Sequence, residues 1–450
     1  MKRRTFTALA ASLAAGGALT ACGGGSAPGE KANPQAKGRT TVNFWGTVWT
    51  TPENAWYKKT VEDFNKAQDE VWVEYQVVPG DAWDQKLKAA QAAGNAPDMY
   101  VSAGRIDTAA RTKLLYNLDD LLSDKMKGIS DTAKEVCQYQ GNFYGVPLLL
   151  EPQVSMFYNK EMFEKAGLDP NKPPKSWDEL YAACEKLKPT LGNGQFCIST
   201  AADAGTFGWT TVSAQMHVAG HLPISDDWSK ADATDPKYEE LIGFYRKLME
   251  NQWAPKQALG PGNSAQPFGE GKVAILSQGS WGMSEIAADY PDMMEKTGYA
   301  PWVTSDGDQT QTVSTIGNQK WVIDAKAKEP EATAKFIEWA LLGDPQVLKP
   351  FFVDTKFTKA PARQEVIDVV NSDPGAKEAH WSSVVFDDIV PASVPEAQYP
   401  WDVNEAFGTA LEQGMLGAKS PKDALAEANA KIQKVIDRED LPKVRAEMNG

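Results

Sequence analysis

The chain has 450 residues, of which 60 are acidic and 46 are basic, and its formal net charge at pH 7 is −14. An acidic surface without a run of basic residues repels phosphate backbones, so these numbers argue against nucleic acid as a partner. A chain of this length exceeds what one hydrophobic core usually holds, and it favours two lobes.

The first 21 residues have the pattern of a signal peptide. Residues 2–4 (KRR) are positively charged, and residues 8–19 form an apolar stretch that is too short to cross a bilayer as a helix. Residues 19–22 (LTAC) resemble the lipobox of bacterial lipoproteins. That resemblance implies that Cys22 carries lipid and becomes the mature N-terminus. The alternative is an ordinary signal peptide with a cysteine at this position by chance.

The segment after Cys22 is typical of a flexible tether. Residues 23–38 are rich in glycine, serine, proline and lysine and have almost no large apolar side chain. We therefore predict a signal peptide at 1–21, a lipidated cysteine and tether at 22–38, and a body held at the extracytoplasmic face of the cell membrane by lipid such as palmitate. Residues 3–6 (RRTF) partly match a twin-arginine signal, which leaves the export route open between that system and the general secretory one.

Strand and helix patterns alternate from residue 41 onward. A helix that begins near residue 53 would place Trp56, Val61 and Phe64 on one face, and the strand that follows it alternates apolar and polar side chains. The predicted elements are a strand at 41–45, a helix at 53–68, a strand at 71–77, a helix at 84–93 and a strand at 98–101. This order predicts a parallel sheet with helices on both faces.

The second half of the chain continues in the same style. Ser176 and Ser420 each begin a helix-capping pattern, because a serine hydroxyl there can accept a hydrogen bond from the backbone of the first helical turn. Short apolar runs at 272–276 and 320–323 suit buried strands. The sequence as a whole therefore predicts an α/β fold.

Three cysteines follow Cys22 in the chain. Cys184 and Cys197 lie on either side of a predicted helix end and turn, in a compartment that permits disulfide bonds. We predict that these two cysteines form a disulfide bond and that Cys137 stays free and buried.

The chain lacks the motifs of common hydrolases and nucleotide-binding enzymes. Residues 275–279 (ILSQG) miss the first glycine of a G-x-S-x-G nucleophile elbow. His217 and His221 are spaced so that one helical face could hold both as metal ligands, but Val218 stands where a zinc protease needs glutamate. Gly220 also indicates that the helix ends there. We therefore predict a protein that is not an enzyme and that holds no metal or cofactor.

Tryptophan is frequent, with 15 residues in the chain. Those within element patterns, which we predict to pack in the core, are Trp72, Trp177, Trp321 and Trp339. Those at strand ends or in predicted loops are Trp45, Trp49, Trp209, Trp281, Trp381 and Trp401. Flat aromatic faces stack on the C–H faces of a pyranose, and loops after the carboxyl ends of strands are where α/β proteins bind ligands. For any one loop tryptophan, packing beneath the loop is an equal alternative.

Several segments match the patterns of one protein family, in the same order along the chain. They are residues 43–46 (NFWG), 96–99 (APDM), 141–147 (GNFYGVP), 156–160 (MFYNK), 174–180 (PKSWDEL) and 268–281 (FGEGKVAILSQGSW). Together they resemble the family-1 extracellular solute-binding proteins, a group that includes the lipoprotein receptors of ABC sugar importers. The resemblance covers essentially the whole mature chain.

This resemblance implies a two-lobed, periplasmic-binding-protein-like α/β fold with hinge strands and a ligand cleft between the lobes. The N-terminal lobe would comprise residues 39–150 and 315–355, and the C-terminal lobe residues 154–312 and 360–450. Hinges would lie near residues 149–154, 313–315 and 355–359.

The resemblance also implies contacts with the ligand. Glu151, at the first hinge, matches an acidic sugar contact of the maltose-binding members of the family. Trp281 and Trp401 match aromatic residues that stack on the sugar. Ser102 and Arg105 fall where those members have an aromatic residue and an acid, so the sugar or its orientation is expected to differ.

Two loops match the family pattern less well. The spacing drifts near Trp209, so Asp203 and Thr206 are both candidates there, and Thr47 and Trp49 stand where an acid–lysine pair is expected. The ligand-binding residues that we predict are Trp45, Trp49, Ser102, Arg105, Glu151, Asp203, Thr206, Trp209, Trp281 and Trp401.

From the tryptophans and the resemblance together, we expect a monomeric receptor of an ABC importer. It would capture a di- or oligosaccharide by closure of the cleft and deliver it to the permease subunits in the membrane. One alternative is a receptor for another polar solute, such as a phosphoester, a polyamine or a metal chelate, although a phosphoester favours a basic cluster and Arg105 stands alone. A second alternative is a secreted carbohydrate-active enzyme, which needs only two suitably spaced carboxylates.

Overall fold

The computed structural model describes residues 36–103, 106–201, 203–207, 215–260, 264–310, 312–397 and 399–449. The predicted signal peptide, Cys22 and nearly all of the tether lie outside these residues, as do Arg105 and Trp209. Within the described part of the chain, no helix is both long enough and apolar enough to span a membrane.

Strands and helices alternate along the body of the chain. The strands are β1 (Thr40–Thr47), β2 (Val71–Val78), β3 (Met99–Ser102), β4 (Gln138–Tyr139), β5 (Asn142–Phe143), β6 (Val146–Pro152), β7 (Ser155–Asn159), β8 (Phe196–Ser199), β9 (Val273–Gln278), β10 (Thr297–Ala300), β11 (Ser314–Ile323), β12 (Ala360–Pro361) and β13 (Ser393–Pro395). The α-helices are α1 (Thr51–Ala67), α2 (Trp83–Ala93), α3 (Asp107–Arg111), α4 (Asp119–Leu122), α5 (Asp131–Glu135), α6 (Lys160–Lys165), α7 (Trp177–Leu187), α8 (Ala204–Thr206), α9 (Pro236–Glu250), α10 (Gln266–Gly269), α11 (Trp281–Asp289), α12 (Pro330–Ile337), α13 (Pro345–Asp354), α14 (Gln364–Asn371), α15 (Pro374–Glu378), α16 (His380–Ser383), α17 (Trp401–Met415), α18 (Pro421–Glu439) and α19 (Leu441–Asn449).

The larger sheet has the strand order β12-β6-β11-β3-β1-β2, with β13 beside β11. β1 is parallel to both β2 and β3, which confirms the parallel arrangement that the alternating pattern predicted. β11 is antiparallel to β3 on one side and to β6 on the other. The carboxyl ends of β1, β3 and β6 therefore lie at one edge of this sheet, together with the amino end of β11.

The core of the larger sheet follows from the periodicity of its elements. α1 buries Trp56, Val61 and Phe64, the face that the helical spacing predicted. β11 is buried along its whole length because it lies between two other strands and beneath helices. On it, the ring of Trp321 lies 4.9 Å from that of Phe44 between centroids, so its predicted place in the core is confirmed.

Residues 360–379 also pack against the larger sheet. β12 pairs with β6, and the buried side chains of Val366, Val370 and Ala379 belong to the same core as Phe44. The resemblance assigned residues 360–450 to the second lobe, whereas residues 360–379 pack on the larger sheet. The reason is that the apolar face of α14 is covered by the helices of the larger sheet.

The smaller sheet has the order β10-β7-β9-β8. β9 is buried along its whole length: Ile275 belongs to the same core as Leu241 of α9 and Phe407 of α17, and Leu276 to the same core as Met283 of α11. The apolar runs at 272–276 and 320–323 thus form the buried strands β9 and β11, as predicted. Sheets covered by helices on both faces account for the continuous apolar runs.

Both predicted helix caps are confirmed. The Ser176 hydroxyl accepts from the backbone N–H of Glu179 at 3.2 Å, and the Ser420 hydroxyl accepts from that of Asp423 at 3.1 Å. At α7 the reciprocal bond of the capping box goes elsewhere, because the Glu179 carboxylate accepts from the backbone N–H of Lys175 at 2.7 Å. Each hydroxyl satisfies an N–H that has no partner within its helix.

The predicted disulfide bond between Cys184 and Cys197 is not formed in the structure, where both are free, buried thiols. Cys184 lies on α7 and Cys197 on β8, and the Cys197 thiol donates to the carbonyl oxygen of Cys184, 3.4 Å from Sγ to O. The thiol is thus satisfied by the backbone without a sulfur–sulfur bond. Cys137 is free and buried as predicted, and its burial raises its pKa to about 12.

The tryptophans that were assigned to the core differ in their surroundings. Trp177 is half-buried and stacks on Phe244, with 4.8 Å between ring centroids, and Trp339 is half-buried against the larger core. Trp72 is partly exposed, and the Arg39 guanidinium lies 5.7 Å from its ring centroid. The prediction of a core position for Trp72 is wrong, because β2 is the edge strand of the sheet and its second face is only partly covered.

Candidate functional site

A two-residue connection brings the edges of the two sheets together. Gln153 and Val154 form the whole link between β6 of the larger sheet and β7 of the smaller one. The backbone N–H of Val154 donates to Oγ of Ser314 at 2.9 Å, and that of Gln153 donates to the carbonyl oxygen of Thr315 at 2.9 Å. We call the region where β1, β3, β6 and β9 end and β7 begins the hinge edge.

Glu151, the predicted acidic contact, lies on β6 within a polar network. Nζ of Lys359 lies 2.8 Å from Oε2 of Glu151 and 3.7 Å from Oε1 of Glu53 on α1. Nε2 of Gln319 donates to Oε1 of Glu53 at 2.9 Å, and the Tyr57 hydroxyl donates to Oε1 of Gln319 at 2.7 Å. We call these five residues the hinge network.

Burial dominates the electrostatics of the hinge network. The side chain of Lys359 is fully buried, that of Glu53 is 2% exposed and that of Glu151 is 12% exposed. Burial raises the pKa of Glu151, Lys359 acts to lower it, and Glu53 raises it further. Burial acts to lower the pKa of Lys359, but attraction to the two carboxylates outweighs it and raises that pKa above its ordinary value. One ammonium thus faces two carboxylates.

The loop after β1 is tied to the same network. The backbone N–H of Thr50 donates to Oε2 of Glu53 at 3.1 Å. Asn54 holds the backbone of Trp49 by accepting from its N–H at 3.1 Å and donating to its carbonyl at 2.7 Å. Trp49 Nε1 and Thr47 Oγ1 are buried and have no hydrogen-bond partner among the described residues. Buried polar groups without partners are uncommon, so both are candidates for contact with a ligand or water.

Trp45 and Ser102 lie on neighbouring strands of the larger sheet. The Trp45 ring packs against the small core that contains Tyr100, and the ammonium of Lys86 on α2 lies 4.6 Å from its centroid, over one face. Ser102 ends β3 at the hinge edge, next to β11. Trp45 is therefore packed beneath a helix, whereas Ser102 lies where the strands end.

The Gly-Ser-Trp loop after β9 also lies at the hinge edge. The backbone N–H of Ser280 donates to the carbonyl oxygen of Pro152 at 3.0 Å, which ties this loop to the end of β6. The ring of Trp281 lies over Gly279, where an added Cβ would come within 1.9 Å of the ring. Only glycine therefore fits beneath it. Trp281 begins α11, and this helix contacts α1 from the larger sheet.

Trp401, Asp203 and Thr206 belong to elements that pack together. Trp401 is the first residue of α17 and is 36% exposed. Asp203 directly precedes α8, which contains Thr206. The backbone N–H of Ala204 donates to the carboxylate of Glu412 on α17 at 3.0 Å. Asp203 and Thr206 therefore lie near the middle and the carboxyl end of α17, whereas Trp401 lies at its amino end.

The predicted residues thus fall on both sheets. Trp49, Ser102, Glu151 and Trp281 lie along the hinge edge, and Asp203, Thr206 and Trp401 lie on or next to α8 and α17. Trp45 packs against α2. Arg105 and Trp209 lie outside the described residues.

Lys359 and Glu53 were not among the residues predicted from the sequence. Glu53 stands in the polar first turn of a helix, where an acidic residue is ordinary, and Lys359 precedes a short apolar segment. Spacing alone does not distinguish a buried charge from an exposed one. The sequence feature that could have identified Lys359 is its position in a predicted hinge, since Glu151, a predicted ligand contact, lies in another.

His217 and His221 do not share a helical face. His217 lies in a short 3-10 turn that ends at Gly220, whose φ is +79°. The ring nitrogens of His221 lie 3.6 and 3.5 Å from the carboxylates of Asp232 and Asp235. Across the described ranges, no three histidine, cysteine, aspartate or glutamate side chains are grouped so that they could hold a metal ion.

The chain belongs to the bacterial extracellular solute-binding protein family, whose sequence profile matches residues 49–346. The maltotriose-binding protein of Pyrococcus abyssi is 25% identical over 344 residues, which is 75% of this chain and 65% of that protein, so the match spans just under two thirds of the relative. The sn-glycerol-3-phosphate-binding periplasmic protein UgpB of Escherichia coli is 27% identical over 329 residues, which is 68% of this chain and 71% of that protein.

Among solved structures, the GacH receptor of Streptomyces glaucescens, studied without ligand and with acarbose, superposes with a TM-score of 0.75. It is 22% identical, and the match covers 89% of this chain and 99% of that receptor. This likeness confirms the predicted two-lobed α/β fold.

Proposed function

We propose that this protein is a carbohydrate receptor of an ABC importer. It captures a di- or oligosaccharide in the cleft and delivers it to the permease subunits. The observation that carries this proposal is the backbone hydrogen bond from Ser280 to Pro152, which ties the loop before Trp281 to the strand end that carries Glu151. An aromatic face binds the C–H face of a sugar, and a carboxylate accepts from its hydroxyls. The names of the maltotriose-binding relative and of the acarbose-bound receptor support it.

Closure of the cleft follows from how the predicted contacts are distributed. Glu151 and Trp49 are carried by the larger sheet, and Trp281 and Trp401 by the smaller one. A ligand that bridges both groups stabilises the closed form, because only contacts that differ between the open and closed states shift that equilibrium. The short link at Gln153 and Val154 provides the hinge.

A second candidate ligand is a phosphoester, because one relative is named for sn-glycerol-3-phosphate. The charge of the hinge network opposes it. Two carboxylates and one ammonium leave this region net negative, and an anionic ligand placed there would be repelled. A neutral saccharide meets no such repulsion, so the network favours the first candidate.

We further propose a boundary between the lobes that takes account of the packing of residues 360–379. The first lobe comprises residues 39–150 and 315–379, and the second comprises residues 154–312 and 399–450. The support is that the core of the larger sheet includes Ala379, whereas Tyr399 packs in the core of the smaller sheet.

Lipid on Cys22 and a tether to residue 38 would hold this receptor as a monomer at the extracytoplasmic face of the membrane. Several acyl chains are needed for firm attachment, as in bacterial lipoproteins. Labelling of cells with a palmitate analogue tests this part of the proposal. The wild-type chain should be labelled and Cys22→Ser should not, and equal labelling of the two would overturn it.

The function is tested by a thermal-shift screen of the purified protein against mono-, di- and oligosaccharides, sn-glycerol 3-phosphate and polyamines. A ligand that binds only the folded state raises the melting temperature by mass action. We expect the melting temperature to rise with one or a few oligosaccharides. Chromatography should then show that these oligosaccharides are recovered unchanged. A shift with glycerol phosphate and none with any saccharide would establish the second candidate, and cleavage of the oligosaccharide would show an enzyme.

A further inference from the structure

We propose that Lys359 is a positioning residue for the ligand: it binds one oxygen of Glu151, which favours the ionised carboxylate and leaves the other oxygen available to a sugar hydroxyl. Lys359 acts through Glu151 and does not itself touch the sugar. This inference rests on the proposed carbohydrate function and adds to it the residue that sets the charge of the site.

The geometry of the pair supports this division of roles. Oε2 of Glu151 receives the Lys359 ammonium at 2.8 Å, while Oε1 has no hydrogen-bond donor among the described residues. The Lys359 side chain is fully buried, whereas Glu151 keeps 12% of its side chain exposed. One carboxylate oxygen is therefore saturated from within the protein, and the carboxylate still reaches the surface of the hinge edge.

The backbone fixes this pairing. β12 runs antiparallel to β6, with Ala360 opposite Leu150 and Pro361 opposite Leu149. Continuing this register by one residue places Lys359 opposite Glu151. Lys359 directly precedes this strand pair, so the pairing of β12 with β6 places the Lys359 backbone beside Glu151.

Lysine is needed because Glu151 is otherwise in an unfavourable place for a charge. Burial and the nearby Glu53 both favour its protonated form, and Lys359 opposes both effects. The other titratable groups that face Glu151 are Tyr57 on α1 and Tyr299 on β10, and burial raises the pKa of each so that both stay neutral at ordinary pH. Lys359 is therefore the group beside Glu151 that favours its charged form.

The charge of Glu151 matters for sugar binding because it strengthens the hydrogen bond that a sugar hydroxyl donates to the carboxylate. A hydroxyl that donates to an ionised carboxylate forms a shorter and stronger hydrogen bond than one that donates to a neutral acceptor. A protonated Glu151 would lose acceptor capacity on the side that faces the ligand. Removal of Lys359 should consequently weaken binding without removing any group that touches the sugar.

The test compares variants of the purified protein by calorimetry, with the saccharide that gives the largest thermal shift as the probe. For Lys359→Met we expect affinity near pH 7 to fall by at least about tenfold and to recover partly near pH 9, as Glu151 ionises. Lys359→Arg should restore part of the loss. Lys349→Met removes a lysine that pairs with Asp373 at 3.0 Å away from the hinge network, and it should bind as the wild type does.

Two outcomes would overturn the proposal: wild-type affinity in Lys359→Met, or an equal loss near pH 7 and pH 9, which is the sign of a merely structural role. If Lys359→Met fails to fold, the proposal is tested with Glu53→Gln instead. This substitution removes the charge of Glu53, so that Glu151 is the one carboxylate of the hinge network that pairs with Lys359. The decline of affinity on acidification should then move to lower pH, and an unmoved decline would refute the inference. Wild-type protein that binds no saccharide would instead show that the carbohydrate function itself is wrong.

Discussion

The backbone N–H of Val154 donates to the hydroxyl of Ser314 at 2.9 Å, although the two residues are 160 positions apart in the chain. Val154 lies in the link between β6 and β7, and Ser314 begins β11. The same hydroxyl donates to the carbonyl oxygen of Thr315 at 3.0 Å. One serine thus satisfies a buried N–H at the point where the chain passes from the larger sheet to the smaller one.

Ser314→Ala should destabilise the protein by ~1–3 kcal/mol, because it leaves the Val154 N–H buried without an acceptor. Chemical denaturation of the ligand-free protein measures the free energy of unfolding. The control is Ser383→Ala, in which the lost hydroxyl donates to the carbonyl of His380 at an exposed position, 3.1 Å away. Its effect should stay within ~0.5 kcal/mol. If the two substitutions lowered the free energy of unfolding equally, the hydrogen bond between Val154 and Ser314 would contribute no more to stability than an exposed one.

Trp281→Ala and Trp401→Ala should each weaken saccharide binding by ~1–3 kcal/mol, through loss of stacking and of buried apolar area. Calorimetry of each variant with the saccharide found in the screen measures this change. Trp72→Ala is the matched control, since Trp72 lies on the edge strand β2 beside Arg39. An affinity within about twofold of wild type, well below the tenfold that 1.4 kcal/mol represents, would remove that tryptophan from the site.

Much of the first sheet could be predicted from the sequence because its elements carry strong local signals. The period-two alternation that begins at Val71 and the helical face of Trp56 and Phe64 are properties of neighbouring residues. The helix caps at Ser176 and Ser420 are local in the same way. These signals fixed the type and order of elements, from which the parallel pairing of β1, β2 and β3 followed.

The parts that could not be predicted depend on contacts between distant segments. The pair of Lys359 with Glu151 joins residues 208 positions apart and requires the register of β12 against β6. The apolar face of α14 would suit either lobe, and only the tertiary fold decides that Val366 packs on the larger sheet. Trp72 was misplaced for the same reason, since the strand order makes β2 an edge.

The contributions of His221 and His217 to the free energy of unfolding should change with pH in opposite directions. Burial acts to lower the pKa of His221, but the carbonyl of Leu222 and the carboxylates of Asp232 and Asp235 raise it overall. The stability that His221 contributes is therefore complete below the unfolded pKa of about 6.5 and is lost as the pH rises through the folded pKa. Burial lowers the pKa of His217, so its contribution is present above about 6.5 and is lost as the pH falls.

Denaturation at two pH values, one on each side of about 6.5, separates these effects. His221→Gln should cost more stability at the lower pH than at the higher one, and His217→Gln should show the reverse. If both variants changed stability in the same direction with pH, the ion pairs of His221 with Asp232 and Asp235 would not survive in solution.

The three body cysteines should all be free thiols, shielded by the fold. Cys137 is fully buried in the first lobe, and the Cys197 thiol already donates to the backbone carbonyl of Cys184. A thiol reagent should therefore react slowly with the native protein, because all three thiols are buried out of its reach. After denaturation without reductant, all three should react, and mass spectrometry should find each of them modified. A bond between Cys184 and Cys197 in protein purified from the cell exterior would contradict this expectation. It would show that export into an oxidising compartment replaces the thiol–carbonyl contact with a covalent bond between α7 and β8.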